Sequence, residues 1–186
     1  VIDWNEFKDL QLAYLRASVI DIEVVTDHAI FATLYRLARK HGIRHILSGT
    51  NVVTESVLPR HWNYHKADHV NIRAIHRAFG TRPLKTFPFM DLRVKKLYQM
   101  VYGVHSVSLL DLVPYHKAEV KKLIVEKLGW RDYGGKHYES IWTRFYQGYI
   151  LPKKFGVDKR RAHLTNLIYS GQMSRDVALE ELALPI

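Results

Sequence analysis

Residues 49–56, which read GTNVVTES, are the first place in the sequence where residue types suit ligand chemistry. They directly follow residues 43–48, a short run typical of a strand. Small residues let a ligand approach the backbone, and the carboxylate of Glu55 is a group that Mg²⁺ binds. Ligands in open α/β sheets bind beyond the carboxyl ends of strands, so these residues are a candidate binding loop. The alternative is an ordinary strand-to-helix turn with Glu55 near a helix N-terminus.

Residues 130–161 are a second candidate, because they interleave aromatic and basic side chains. Arginine and lysine bind phosphate oxygens well, and aromatic faces stack on sugar rings or bases. The pair Gly134 and Gly135, which precedes Lys136, predicts a flexible turn that can present main-chain amides to an anion. The stretch therefore suits a phosphorylated or glycosylated ligand.

A simpler interpretation of the same stretch is structural. On a helix over residues 137–149, Ile141, Phe145 and Tyr149 recur every four residues and would form a core stripe. Arg144 and Lys153 would then face water. The sequence alone leaves both interpretations open.

We predict that four cations converge on one anionic pocket facing residues 49–56, namely Lys136, Lys159, Arg160 and Arg161. Grouped cations repel one another, so a fold that gathers them is expected to bind phosphate or pyrophosphate. Helix N-terminal amides near Asp158 would reinforce the site. Adjacent residues on a helix diverge by about 100°, so Arg160 and Arg161 cannot both face the pocket. One of the two is expected to be a surface or packing residue.

Composition narrows the classes of chemistry. The net charge of +10 favours an anionic partner such as a nucleotide, a sugar phosphate or nucleic acid. The sequence contains no cysteine, which excludes disulfides, cysteine-ligated zinc and thiol catalysis within these residues. The eleven histidines include no HExxH pattern, and we expect no zinc site. No apolar run approaches the roughly 18 to 20 residues of a membrane helix, so no membrane span is expected.

The elements that must position these residues follow from hydrophobic periodicity. Asp3 is a predicted N-cap for a first helix, and a second helix is predicted to begin near Thr26 and end at Gly42. The predicted core stripe of this second helix consists of Ile30, Phe31, Leu34, Leu37 and Ala38. Strands are predicted over residues 43–48 and 104–113. Further helices are predicted over residues 67–79, 116–128, 137–149, 158–169 and 174–182, with Gly129 ending the second of these.

This order of elements predicts an α/β fold. We expect a partial three-layer core with a parallel sheet and helices on both faces, followed by a mostly helical C-terminal region. The chain starts at Val1 without an initiator methionine, a basic region or a signal-peptide pattern. We therefore expect an interior segment of a longer, cytoplasmic protein.

Two blocks of the sequence resemble the N-acetyl sugar amidotransferase family. The first includes TDHAIFAT at residues 26–33 and IRHILSGTNVVTES at residues 43–56. The second includes YGGKHYES at residues 133–140 and FGVDKRRAHL at residues 155–164, and it is the more specific of the two. The resemblance extends from residue 1 to about residue 182.

The family belongs to the PP-loop pyrophosphatase superfamily and serves bacterial surface polysaccharides, including the O-antigen of lipopolysaccharide. The resemblance implies an adenine nucleotide alpha hydrolase-like fold and a reaction that turns the acetamido group of a nucleotide-linked N-acetyl sugar into an acetamidino group. It implies ATP and Mg²⁺ as cofactors and a glutaminase-type partner that supplies ammonia. The amide oxygen would attack the α-phosphorus of ATP, pyrophosphate would leave, and ammonia would displace AMP.

The resemblance also implies a division of the chain. Residues 1–58 would complete the PP-loop nucleotide-binding domain, residues 59–103 would be an insertion or lid, and residues 104–186 would form the remaining strand and a helical substrate and phosphate region. The residues implied to lie near the nucleotide are Gly49, Thr50 and Asn51, and those implied to bind substrate are Tyr138 and Arg144. The implied catalytic residues are Glu55, also a candidate Mg²⁺ ligand, and Lys136, Lys159, Arg160 and Arg161.

The sequence also departs from the family pattern in two respects. The Ser-Gly-Gly-x-Asp-Ser loop of the superfamily and the N-terminal cysteines of the family do not occur in these residues. We therefore expect these residues alone to be inactive. Two other classes remain open: a tRNA-modifying or nucleic-acid-binding relative, and a docking domain without a ligand of its own. Nucleic-acid binding is the weaker alternative because charge alone supports it.

Overall fold

The computed structural model describes residues 2–133 and 140–185. These residues form a mostly helical α/β fold with one small sheet. The helices are α1 (Trp4–Ala17), α2 (Val24–Lys40), α3 (Val52–Glu55), α4 (His69–Phe79), α5 (Leu92–Met100), α6 (Lys117–Leu128), α7 (Ile141–Phe145), α8 (Leu151–Phe155), α9 (Lys159–Tyr169) and α10 (Arg175–Ala183). The strands are β1 (His45–Ser48) and β2 (His105–Ser108). Short 3₁₀ turns occupy Arg60–Trp62 and Leu109–Asp111, and a π-helical turn occupies Tyr146–Ile150.

The chain divides into two compact units. Unit 1 consists of Val1–Ser48 and Arg60–Val107, and unit 2 consists of Gly49–Pro59 and Ser108–Ile186. No helix in the described part of the chain has both the length and the apolar character to cross a bilayer.

Unit 1 begins with a helix whose start is correctly predicted. The Asp3 carboxylate accepts a hydrogen bond from the Asn5 N–H at 2.7 Å, which satisfies one of the free donors of the first turn. Helix α1 buries Leu10, Ala13 and Tyr14 and packs against α4. The Tyr14 hydroxyl donates to the Asn71 side chain at 3.0 Å, which gives this buried phenol a partner.

The core stripe predicted for α2 is wrong for its three large aliphatic residues, which are exposed. Ile30, Leu34 and Leu37 are 54%, 44% and 45% exposed. Ala38 of the predicted stripe is buried, and it packs with Ala32 and Tyr35 of the neighbouring stripe and with Met90, Tyr98 and Val104. Small alanines let the helix approach its neighbours closely, so the packed face is the one with less aliphatic volume. Phe31 of the predicted stripe is partly buried against this cluster.

The sheet pairs β1 with β2 in parallel. The His105 N–H donates to the Arg44 carbonyl oxygen at 2.8 Å, just before β1 begins. The strand predicted over residues 104–113 is shorter than expected, because the chain turns into a 3₁₀ turn at Leu109.

Unit 2 is held together mainly by helices. Helix α3 packs against α9, α9 packs against α10, and the π-helical turn joins α7 directly to α8. Helix α6 ends where it is predicted to end: Gly129 adopts φ +63°, a left-handed conformation that glycine accepts without strain.

Candidate functional site

The loop predicted to bind the nucleotide is built around a helix cap. The Asn51 side-chain oxygen accepts from the Thr54 N–H at 2.9 Å and from the Thr54 hydroxyl at 3.0 Å. Asp111 accepts from the Val52 N–H at 2.8 Å, and the hydroxyls of Thr50 and Ser108 lie 2.9 Å apart. These polar side chains organise the start of α3. The role that these hydrogen bonds show is therefore structural: they fix the backbone of the loop before any ligand binds.

Gly49 is the open position of this loop. A Cβ atom built on Gly49 would meet no other atom within 4 Å. Packing therefore does not require glycine here, and the exposed backbone leaves room for a ligand to approach.

Glu55 lies in the first turn of α3 and is exposed. The turn interpretation places it near a helix N-terminus, and because α3 is a single turn, Glu55 is also the last residue of that helix. Its charge also contributes to the raised pKa of Tyr115, although burial is the main cause of that shift. Within residues 2–133 and 140–185, no group of three or more His, Asp or Glu side chains has a geometry that could hold a metal ion.

Asn166 ties this loop to α9 and is a residue that the sequence analysis missed. Its side-chain oxygen accepts from the Val57 N–H at 2.7 Å and from the Ser56 hydroxyl at 2.8 Å. Its amide nitrogen donates to the carbonyl oxygens of Ala162 at 3.0 Å and Val57 at 3.2 Å. Asparagine is unfavourable inside a helix unless its amide finds such partners, so its position within α9 was the available signal.

The predicted cations separate into different roles. Asp158 caps α9 by accepting from the Arg160 N–H at 2.9 Å, and it also pairs with the Arg160 guanidinium at 2.9 Å. The same guanidinium donates to the carbonyl oxygen of Leu184 at 2.8 Å, just beyond the end of α10. Arg160 therefore satisfies carbonyl groups that a helix end leaves without partners. Lys159 is half-buried and Arg161 is exposed, while Lys136 and Tyr138 lie outside the described residues.

An exposed row of aromatic rings extends over α7 and the π-helical turn. Trp142, Phe145 and Tyr149, which we call the aromatic ladder, are 46%, 48% and 54% exposed. The rings of Phe145 and Tyr149 stack with centroids 5.6 Å apart and planes at 15°. Ile141 is 91% exposed, so the core-stripe interpretation of this helix is wrong.

The buried residues of this segment are instead Tyr146 and Gln147, which open the π-helical turn. The exposed Arg144 lies on α7 between Trp142 and Phe145 in sequence. Unit 2 therefore presents stacking surface and positive charge in one helical segment.

A model of a known protein family matches the C-terminal part of the chain. Residues 139–186 match the family model described as "LPS biosynthesis protein WbpG-like, C-terminal domain". The match covers about a quarter of the chain. No curated protein and no solved structure matches the chain.

The WbpG-like segment, residues 139–186, contains the aromatic ladder, Arg160, Arg161 and Asn166. Through Asn166 it is hydrogen-bonded to residues 56 and 57, which lie outside the match. The loop after β1 and the WbpG-like segment therefore belong to the same folded unit.

Proposed function

We propose that the protein takes part in lipopolysaccharide biosynthesis and that unit 2 binds a nucleotide-linked N-acetyl sugar. The observation that carries this proposal is the WbpG-like match over the residues that bear the aromatic ladder and the cations of α9. Aromatic rings stack on sugar rings and bases, and arginine pairs with phosphate oxygens. A nucleotide-linked sugar offers all three groups in one molecule.

The proposed reaction converts the acetamido group of this sugar into an acetamidino group. The amide oxygen displaces pyrophosphate from ATP, ammonia adds at the amide carbon, and AMP leaves with the former amide oxygen. Amide, ammonia and ATP thus become amidine, AMP and pyrophosphate, and the atoms balance. Both ATP and nucleotide-linked sugars are cytoplasmic metabolites, so the proposal includes a cytoplasmic location.

Several parts of the machinery are proposed to come from outside these residues. The 186 residues contain no Ser-Gly-Gly-x-Asp-Ser loop, so another segment or chain would supply it and complete a three-layer PP-loop core around the two strands. A Mg²⁺ ion would accompany ATP, with Glu55 as a candidate outer ligand. A glutaminase-type partner would deliver ammonia.

In the proposed site, Arg161 and Lys159 at the start of α9 balance the charge that develops on phosphate, and Arg144 contacts the sugar nucleotide. Preorganised cations contribute most where charge grows in the transition state. Arg160 fixes the C-terminal end of α10, and Asn166 holds the loop after β1 against α9.

The test is an amidation assay with the protein and the component that carries the phosphate loop. ATP, Mg²⁺, ammonium and a nucleotide-linked N-acetyl sugar are supplied together, and AMP, pyrophosphate and the amidine are measured. We expect AMP to form only when both sugar and ammonium are present. Formation of ADP, or of AMP without the sugar, would contradict the proposed reaction.

A binding measurement distinguishes the nucleic-acid alternative. Binding to tRNA that is tighter than binding to the sugar nucleotide, and that falls steeply with salt, would favour a nucleic-acid-binding relative instead. Binding of a partner protein without any small ligand would favour a docking domain.

A further inference from the structure

Unit 1 contains an open, groove-like cavity of about 380 Å³ that the proposed function does not use. Its lining residues are Arg73, His76, Arg77, Leu84 and Phe89. The volume lies within the range of about 300–1,000 Å³ that is typical of small-molecule sites. Three basic side chains and two apolar ones line the cavity, so a fitting ligand has both an anionic group and an apolar body.

The cations come from one face of α4. Arg73, His76 and Arg77 are three and four residues apart, so they project from the same side of the helix. Helix α4 contains no acidic residue, and among the residues that the structure describes no carboxylate lies within ion-pair distance of Arg73 or Arg77. Like charges four residues apart destabilise a helix, so a bound anion would stabilise this one.

The carboxylate of Asp9, which lies near His76, already accepts hydrogen bonds from other residues. Asp9 accepts from the Thr81 N–H at 2.9 Å, the Thr81 hydroxyl at 2.6 Å and the Arg82 N–H at 3.0 Å. Desolvation is the largest single effect and raises the pKa of Asp9. The hydrogen bonds together outweigh it, so the pKa of Asp9 is lowered. The Asp9 charge is therefore compensated largely by the segment after α4.

His76 is fixed in the cavity wall by its neighbours. Its Nε2 atom lies 2.7 Å from the Arg82 carbonyl oxygen and 3.7 Å from the Asp9 carboxylate. A Cβ atom at Gly80 would collide with the His76 ring, so glycine is required for this close approach. The wall is thus rigid where the imidazole contributes to it.

Arg73 is positioned by an aromatic ring. Its guanidinium lies over the Phe89 ring, 3.9 Å from the centroid, and the Phe89 carbonyl accepts from the Arg36 guanidinium at 2.8 Å. A guanidinium carries its N–H donors as a planar fork that can bind two phosphate oxygens at once.

We propose that this cavity binds a small phosphate monoester, with the phosphate on Arg73 and Arg77 and the organic body against Leu84 and Phe89. This site lies within unit 1 and does not depend on the proposed amidation reaction. The two halves of such a ligand can be tested separately, because inorganic phosphate carries the charge without the body.

Phenyl phosphate, phenol and inorganic phosphate are the probes, each titrated into the protein by calorimetry. We expect saturable binding of phenyl phosphate, weaker binding of inorganic phosphate and none of phenol. Absence of saturable phenyl phosphate binding, or equal affinity for the ester and inorganic phosphate, would overturn the proposal.

The variants are Arg73→Gln and Arg77→Gln, with Arg44→Gln as the matched control. Arg44 is an exposed arginine of the same unit and does not line the cavity. Arg44→Gln therefore removes the same charge at a position away from the cavity. Each cavity variant is expected to weaken phenyl phosphate binding by about tenfold or more, and the control by less than about twofold. Equal weakening by all three would show diffuse charge attraction instead of a site.

A measurement on the unaltered protein covers the case in which a variant fails to fold. Phenyl phosphate should shift the NMR signals of the His76 ring and the Phe89 amide in a saturable way. Shifts confined to other parts of the chain would place the ligand elsewhere and refute the assignment.

Discussion

At the scale of single residues, neighbouring side chains of the same type have separate roles. Arg160 and Arg161 are adjacent and chemically identical, yet the first binds Asp158 and the end of α10 while the second is exposed. The sequence predicted that only one of them can face a ligand, because adjacent residues diverge on a helix. It could not say which, because the carbonyl groups that hold Arg160 lie more than twenty residues away.

This difference gives a paired prediction. Replacing Arg161 by alanine is expected to lower ATP-dependent turnover by about 10- to 1,000-fold if its charge contributes about 1.4 to 4 kcal/mol at the transition state. Arg160→Ala is expected to act through stability, by about 1–3 kcal/mol, because Asp158 loses its ion pair and the carbonyl oxygens beside α10 lose their guanidinium donor. Turnover and urea unfolding are measured for both variants. Unchanged turnover in folded Arg161→Ala would assign that residue to the solvated surface.

His28 provides a prediction about pH. It is fully buried, its Nδ1 lies 2.6 Å from the Lys66 carbonyl oxygen, and its Nε2 accepts from the Met90 N–H at 3.1 Å. Only the neutral ring can accept at Nε2 and donate at Nδ1. Burial lowers the pKa of His28, and nearby His69 and Arg36 lower it further, which together outweigh the opposing effects of the Lys66 carbonyl and Asp68. The unfolded chain therefore binds the proton more readily than the folded one.

The free energy of unfolding should consequently fall as the pH drops below about 6.5, by at most about 1.4 kcal/mol per pH unit. Chemical denaturation between neutral pH and pH about 5 measures this slope. His28→Gln should remove most of the slope, whereas the exposed His61→Gln should retain it. A slope that survives in His28→Gln would show that another group is responsible.

At the scale of elements, the sequence predicts correctly those features that neighbouring residues determine. The Asp3 cap of α1 and the Gly129 end of α6 were predictable from nearby residues alone. The buried face of α2 was not, because two apolar stripes lie side by side and tertiary packing selects the one with alanines. The π-helical turn also escaped prediction, because the four-residue spacing of Phe145 and Tyr149 predicted a regular helix.

The aromatic ladder gives the prediction at this scale. Trp142→Ala is expected to raise the dissociation constant for the nucleotide-linked sugar by about 5- to 150-fold, because stacking of a base on an aromatic ring contributes about 1–3 kcal/mol. Tyr169→Ala is the matched control, since Tyr169 is 79% exposed in the same unit. Fluorescence or calorimetric titration measures both. If the two substitutions have the same small effect, the ladder is an apolar surface for another partner.

At the scale of the whole molecule, the charge pattern agrees with an anionic ligand but does not choose among such ligands. The net charge of +10 is as consistent with nucleic acid as with a nucleotide sugar. The division into two units was not evident from the sequence, because Gly49–Pro59 belongs with the residues from Ser108 onward and is separated from them by Arg60–Val107. Asn166 shows why: its hydrogen bonds to Ser56 and Val57 join distant parts of the chain.

The most direct test of the proposed function follows one oxygen atom through the reaction. A nucleotide-linked N-acetyl sugar is prepared with a heavy oxygen isotope in its acetamido group and incubated with ATP, Mg²⁺, ammonium, the protein and the component that carries the phosphate loop. The proposed reaction predicts that the heavy oxygen is recovered in the phosphate of AMP and that the sugar gains a nitrogen at the same carbon. Recovery of unlabelled AMP, with the heavy oxygen still in the sugar, would contradict it.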